Sequence, residues 1–96
     1  MATGFVGIYS FELLFPESHS LKEKRSVVKS LKDRLHDRFN ISVAETGHHD
    51  VWQRAELTGC VVANEKKHAE SVLASADALV QSEPRARIID SYRSFR

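Results

Sequence analysis

Residues 5–39 read FVGIYSFELLFPESHSLKEKRSVVKSLKDRLHDRF, and the hydrophobic period changes from two to about 3.6 within this stretch. Between Phe5 and Phe15, apolar residues recur at alternate positions, which is the pattern of a strand with one buried face. The face that we assign to the core comprises Phe5, Gly7, Tyr9, Phe11, Leu13 and Phe15. Pro16 has no backbone N–H to donate to a sheet, and it ends the strand.

The helix that follows is marked at both ends. Ser20 and Glu23 form a predicted capping box, in which Ser20 caps free backbone amides and Glu23 reaches back to Ser20. Asn40 is suited to the left-handed conformation that ends many helices. The predicted apolar stripe comprises Leu21, Val27, Val28, Leu31, Leu35 and Phe39.

The remaining residues continue this alternation of element types. We expect strands over 41–46, 54–63 and 85–95, with adjoining Ile88 and Ile89 leaving the inward face of the last strand undecided. Asn64 is the predicted cap of a second helix, which Pro84 ends. Its apolar residues are Ala69, Val72, Ala76, Leu79 and Val80. Two right-handed crossovers then predict one ferredoxin-like α+β domain over residues 1–96, with a βαββαβ order, a four-stranded antiparallel sheet and two helices on one face.

The composition is that of an ordinary globular protein. The chain has 96 residues, of which 42% are hydrophobic and 28% charged. The single cysteine, Cys60, excludes an internal disulfide, fits a reducing compartment and is expected to pack in the interior. Because we find no secretory pattern and no run of about 20 apolar residues, we expect a cytoplasmic protein that is not membrane-bound.

The net charge is +1, but the cations are concentrated in two segments. Residues 21–38 carry seven Lys and Arg against three acids, and residues 84–96 carry four Arg against one acid. At 100° per residue, one arc of about 80° on the first helix contains Lys22, Arg25, Lys29, Lys32 and His36. The acids Glu23, Asp33 and Asp37 fall outside that arc. Such a flank is suited to a phosphate backbone, and the alternative is a solvated face that keeps the domain soluble.

Three short segments carry a resemblance to a known family. They are residues 20–25 (SLKEKR), 42–45 (SVAE) and 52–57 (WQRAEL), and together they resemble the YlxP-like family of small bacterial proteins. The resemblance implies a ferredoxin-like fold for nearly the whole chain. It also implies a poorly characterised family whose genes often neighbour those of translation factors, which points to RNA or the ribosome. It implies no catalytic residue.

Lys24 lies within the angular range of the apolar stripe. We expect it to extend along the edge of the core with its ammonium in water, and the alternative is a pair with Glu45 or Glu56. Those two carboxylates are interpreted as cross-strand surface residues, because a catalytic pair would need a cleft and separated pKa values.

The stretch from His48 to Arg54 has the densest polar chemistry. Adjacent histidines in an extended chain point to opposite sides, and His48 with Asp50 lacks the further ligands of a structural metal site, so we predict no metal. Trp52 is expected to anchor the loop on the sheet edge or on a partner, and Arg54 to pair with an acid or with phosphate. We find no phosphate-binding loop and no catalytic triad, and we predict neither a cofactor nor enzymatic activity.

Two hypotheses of function follow. The first is a non-enzymatic RNA- or ribosome-associated factor, with Arg87 or Arg93 assisting a set of cations. That set comprises Lys22, Arg25, Lys29, Lys32 and Arg54. The second is a homodimeric interaction or ligand-sensing module that uses the open sheet face. Its expected interface residues are Val6, Ile8, Val62 and Trp52.

Overall fold

The computed structural model describes residues 4–96. Its elements are β1 (Phe5–Leu14), α1 (Leu21–Phe39), β2 (Ser42–Gly47), β3 (Arg54–Ala63), α2 (Lys66–Gln81) and β4 (Arg87–Phe95). All strand pairs are antiparallel, and the sheet order is β2-β3-β1-β4. Each helix therefore connects two parallel strands that have one strand between them, which is the predicted ferredoxin-like arrangement.

β1 lies at the centre of the sheet, and its alternation places one face in the core. Gly7, Tyr9, Phe11 and Leu13 are buried, as is Phe15 just beyond the strand. Phe5 was predicted on the same face, but it is 37% exposed because it pairs with Ala63 at the end of both strands. The assignment of the core face is confirmed, except at this first residue.

The ends of α1 follow from local hydrogen bonds. Ser20 Oγ accepts from the backbone N–H of Glu23 at 3.1 Å, as predicted. The Glu23 carboxylate accepts from the N–H of His19 at 2.6 Å, one residue earlier than the predicted return contact with Ser20. Asn40 has φ 54° and donates its N–H to the carbonyl of His36, which confirms the predicted helix end.

The core is a single cluster between the sheet and the two helices. On α2, Val72 is partly buried and packs against the core, as predicted. Leu73 is fully buried, and it is a core residue that the prediction left out, although it too lies at helical spacing from Ala69 and Ala76. Asn64 does not cap this helix: the N-cap residue is Glu65, which makes no side-chain capping bond, so the predicted cap was wrong.

β2 and β3 form the expected hairpin with a wide connection. β3 has the predicted bounds, and β2 begins one residue later than predicted, at Ser42. Gly59 faces the core beside Ile41, and a Cβ at Gly59 would stand 2.8 Å from Ile41 Cγ2. A larger residue at this position would therefore displace the buried Ile41 side chain.

β4 begins at Arg87, two residues later than predicted. Its pairing with β1 shifts register between Glu12 and Leu13. Ile88 consequently packs against the core, and Ile89 is 41% exposed. Within residues 4–96, no helix is long and apolar enough to cross a membrane.

Candidate nucleic-acid interface

Four cations of α1 form a surface that we call the basic flank: Lys22, Arg25, Lys29 and Lys32. Three of these residues are exposed, and Lys32 is half-buried. They lie on the side of α1 away from α2, since Arg34, which points to the opposite side, contacts Glu83 just beyond α2. α1 packs on the edge strand β2, so the flank lies above that edge of the domain.

One acid reaches into the basic flank. Lys29 Nζ lies 2.7 Å from Asp33 Oδ2, although the helical wheel places Asp33 outside the arc. This hydrogen bond with Asp33 raises the pKa of Lys29 above its ordinary value. Within residues 4–96, the other three flank cations make no ion pair.

Arg54 is not part of the basic flank. It lies on the sheet face away from the helices, where its Nη2 is 3.3 Å from Glu12 Oε1. The Nε2 of His48 lies 2.7 Å from the same oxygen. The structure therefore separates Arg54 from the four helix cations and gives it the acidic partner that the sequence allowed.

The two arginines expected to assist the flank also lie elsewhere. Arg93 approaches Asp77 at 3.6 Å, and its guanidinium lies 5.3 Å from the centre of the Tyr9 ring. Tyr9 donates a hydrogen bond to Asp77, and burial followed by this contact raises the pKa of Tyr9. Arg87 is exposed on the open sheet face beside Leu14.

Lys24 is fully buried, and its ammonium is enclosed by the loop between β2 and β3. Nζ donates to the carbonyl oxygens of His48 at 2.7 Å, His49 at 3.2 Å and Arg54 at 3.2 Å. It also lies 3.2 Å from Glu45 Oε2, an ion-pair contact that lacks the alignment of a hydrogen bond. The expectation that its ammonium reaches water was wrong, because three carbonyls and a carboxylate satisfy it inside the protein.

The three segments that carry the family resemblance meet at this ammonium. Residues 20–25 supply Lys24, residues 42–45 supply Glu45, and residues 52–57 supply the carbonyl of Arg54. The first segment also supplies Lys22 and Arg25 on the outside of the same helical turns. The three segments that carry the resemblance therefore form the surroundings of the Lys24 ammonium and part of the basic flank.

The loop of residues 48–53 is held by further contacts. His48 has φ 60°, a left-handed conformation that is uncommon outside glycine, and its carbonyl and imidazole are both bonded. Gln53 donates its side-chain amide to the carbonyls of Pro16 and Ser18, and its own carbonyl accepts from Phe15. The Trp52 side chain is 54% exposed, so the sheet does not bury it, and its predicted contact with a partner stays a prediction.

The open sheet face is apolar at one end. Val62 and Val6 are cross-strand partners, and Cys60 and Ile8 form the next pair. Val62 is 73% exposed and Tyr92, on β4, is 63% exposed. Cys60 was expected inside, but it is exposed because its position on β3 alternates with the buried ones.

The other end of this face is polar and acidic. Glu12 is paired in register with Glu56 on β3 and with Asp90 on β4, so three carboxylates cross the sheet in one row. Glu56 accepts a hydrogen bond from Thr46 at 2.6 Å and is half-buried on this face. Glu45 was predicted to be a surface residue across from it, but Glu45 is paired with the buried Leu57 and contacts Lys24, so the two carboxylates lie on opposite faces of the sheet. Between Gly4 and Arg96, no three His, Cys, Asp or Glu side chains are grouped as a metal site requires. The neighbouring row of the same face carries Arg54 and Arg87 on either side of Leu14, so this end of the face has charges of both signs.

A groove of about 700 Å³ adjoins the start of α1. It is lined by cations and acids together, among them Lys22, Arg85, Glu17 and Glu23. Arg85 is engaged by Glu83, at 2.8 Å. This mixture of charges does not define an anion site separate from the basic flank.

Sequence reasoning located the basic flank because helical spacing alone determines it. It missed the carbonyl cage of Lys24, the Glu12–His48 contact and the exposed Tyr92. The first two depend on a loop conformation, and the third on the register of β4. No local pattern specifies either feature.

Comparison with known proteins gives a family and a fold. Residues 6–93 match the family described as "Protein of unknown function (DUF503)". The "Uncharacterized protein YlxP" of Bacillus subtilis (strain 168) is 33% identical over 79 residues, which cover 82% of this chain and 86% of that protein.

Two solved structures share the fold. A structural-genomics protein named YJCS is 9% identical, with a TM-score of 0.56 over 93% of this chain and 96% of its own. A de novo designed protein with a ferredoxin fold is 19% identical, with a TM-score of 0.51 over 96% of this chain and 84% of its own. At these identities the likeness concerns the fold alone.

Proposed function

We propose that the domain binds the phosphate backbone of RNA through its basic flank. The chain belongs to the YlxP-like DUF503 family of proteins of unknown function. The observation that carries the proposal is that four cations lie together on the outer side of α1. Within the described residues, Lys22, Arg25 and Lys32 make no ion pair, and Lys29 lies beside them. Ribosomal RNA is the expected target, which places the action in the cytoplasm. The domain acts as a binding factor without enzymatic activity.

The spacing of the flank suits a nucleic-acid strand. Ten residues separate Lys22 from Lys32, a rise of about 15 Å along α1. Four cations distributed over this length can neutralise up to about four phosphates of one strand. Each neutralised phosphate releases counterions, so the affinity falls with salt.

The remaining ionised groups support a binding role more than a catalytic one. Glu45 is engaged by Lys24, and Glu83 by Arg34 and Arg85. Such carboxylates are occupied by structural cations and are not poised as acid or base.

Reversing two flank charges tests the proposal. In the double variant Lys22→Glu/Arg25→Glu, both positions are exposed and free of ion pairs within residues 4–96, so the fold is retained. The slope of log affinity against log salt for single-stranded RNA falls in magnitude by about 1.4, because two phosphate contacts are lost. Fluorescence anisotropy with labelled RNA across a salt series measures this slope.

The matched control is Lys66→Glu/Lys67→Glu on α2, which changes the net charge equally at exposed positions outside the flank. Its salt slope stays close to that of the unaltered protein. Equal loss of binding in both double variants would show that net charge alone attracts RNA, and the flank would have no specific part.

A second candidate function is self-association through the apolar end of the open sheet face. The observation that favours it is the exposure of Val62 and Tyr92 on a face that no helix covers. Three rows of residues across four strands give about 400 Å² of projected area per subunit. A total near 800 Å² is below the standard size of stable interfaces, so the expected homodimer is weak and dissociates on dilution.

The variant Val62→Asp tests this interface. Because Val62 is 73% exposed, aspartate there leaves the monomer folded but places a charge within the apolar contact. The weight-average mass from sedimentation equilibrium falls from a concentration-dependent value above 10.9 kDa to that of the monomer. Cys60 lies on the same face, and its alkylation slows as the protein concentration rises in the unaltered protein but not in Val62→Asp.

The control is Ala74→Asp, an exposed alanine on α2. It retains both the association and the protection of Cys60. The dimer contact would lie elsewhere if Val62→Asp still associated. It would also lie elsewhere if the Cys60 thiol of the unaltered protein reacted at the same rate at every protein concentration.

A further inference from the structure

Trp52 is the only tryptophan of the chain, and the fold does not bury it. Its side chain is 54% exposed at the tip of the loop of residues 48–53, and the neighbouring Val51 is 42% exposed. Tryptophan is highly buried on average, because its ring carries a large apolar surface. An exposed ring of this size is therefore free to contact a ligand.

The backbone on both sides of Trp52 is fixed. Lys24 Nζ binds the carbonyls of His48 and His49 before the ring and that of Arg54 after it. Gln53 is tied to Pro16 and Ser18 by its side chain. The loop thus presents the indole from a backbone that is already ordered, which lowers the entropy cost of binding.

The loop adjoins the first turns of α1. Lys24, whose ammonium the loop encloses, stands between Lys22 and Arg25 in the sequence of that helix. Ser18, which Gln53 contacts, lies two residues before the helix cap Ser20. Trp52 is therefore carried by a loop that meets the end of the domain where the basic flank begins.

We propose that Trp52 is a stacking platform for one unpaired base of single-stranded RNA. This inference rests on the proposed function and specifies it: the flank binds phosphates, and the indole receives a base of the same strand. Cations beside an exposed aromatic ring are the combination by which proteins bind single strands without reading their sequence. A base in a duplex is stacked on its neighbours and cannot be received in this way.

Because Trp52 is the only tryptophan of the chain, its fluorescence reports contact with a bound base directly. Titration with a short single-stranded oligoadenylate quenches Trp52 fluorescence, and a duplex RNA of equal length binds with little quenching. Trp52→Ala weakens oligoadenylate binding on the order of tenfold at fixed salt, and Trp52→Phe retains most of the affinity. The salt slope is unchanged in both variants, because stacking releases no counterions.

Val51→Ala is the matched control, since Val51 is an exposed apolar residue of the same loop. It binds oligoadenylate like the unaltered protein. The inference would be overturned if oligoadenylate left the fluorescence of the unaltered protein unquenched and bound Trp52→Ala with undiminished affinity. The phosphate-binding proposal would still stand in that case. Absence of any salt-dependent RNA binding would overturn both.

Discussion

Lys24 carries an ammonium group into the interior of a small domain, where removing a charge from water costs several kcal/mol. The cost is offset because all three donors of the ammonium find carbonyl oxygens and the Glu45 carboxylate lies beside them. Every one of these partners is 21 to 30 residues distant along the chain. Lys24 therefore joins α1 to the loop that connects β2 and β3.

Removing the ammonium leaves the acceptors unpaired. We expect Lys24→Met, which keeps the length of the side chain, to lower the free energy of unfolding by about 3–5 kcal/mol. Glu45 and three carbonyls would then lack their partner. Urea unfolding followed by circular dichroism measures the loss.

Lys67→Met is the comparison, because Lys67 is exposed on α2 and its replacement changes stability by less than about 0.5 kcal/mol. A similarly small change in Lys24→Met would mean that water or a shifted loop satisfies these groups. Lys24 would then have no part in fixing the Trp52 loop.

At the scale of residues, the sequence predicts what helical spacing determines. The angular positions of Lys22, Arg25 and Lys32 place them outside the core, and the structure agrees. The enclosure of Lys24 was not predictable, since its partners come from an irregular loop. The Lys29–Asp33 contact was available from the spacing of four residues, but the angular argument alone excluded it.

Glu83 connects elements that are distant in sequence. It is buried just after α2, where it accepts hydrogen bonds from Arg34 of α1 at 2.7 Å and from Arg85 before β4 at 2.8 Å. The hydrogen bond from Arg85 is the main cause that lowers the pKa of Glu83 from 4.5 to about 2. The carboxylate thus holds the end of α2 against α1.

This pKa determines a pH dependence of stability. Because the folded protein lowers the pKa, the contribution is fully present above pH 4.5 and is lost as the pH falls toward 2. We expect Glu83→Gln to be less stable than the unaltered protein by roughly 3 kcal/mol at pH 7. The difference between the two proteins shrinks as the pH is lowered from 4.5 to 2.

Urea unfolding of both proteins at a series of pH values measures this difference. If the difference in free energy of unfolding stayed constant from neutral to acidic pH, its cause would be altered packing and not the loss of the paired carboxylate.

At the scale of elements, predicted ends are correct where a local hydrogen bond defines them, as at Ser20 and Asn40. They are displaced where tertiary pairing decides. β4 begins at Arg87 and bulges at Ile89 because of its register with β1, which no pattern within β4 encodes. Asn64 is a suitable cap by type, yet α2 begins one residue later than that assignment requires.

For the whole molecule, the order of elements was enough to predict the fold, since two right-handed crossovers leave few alternative topologies. The distribution of charge was only partly predictable. The C-terminal arginines form a basic segment in the sequence, but Arg85 and Arg93 are engaged by Glu83 and Asp77. The row of carboxylates on the sheet arises from register. On α1, three of the four flank cations make no ion pair within residues 4–96.

Binding through the basic flank is best tested by co-sedimentation of the purified protein with ribosomal subunits and with total RNA, across a salt series. We expect retention at low salt and a loss of affinity of about 50-fold between 50 and 200 mM salt, as is typical of about four phosphate contacts on a single strand. Absence of retention at every salt concentration, or retention that salt does not weaken, would contradict binding through the basic flank.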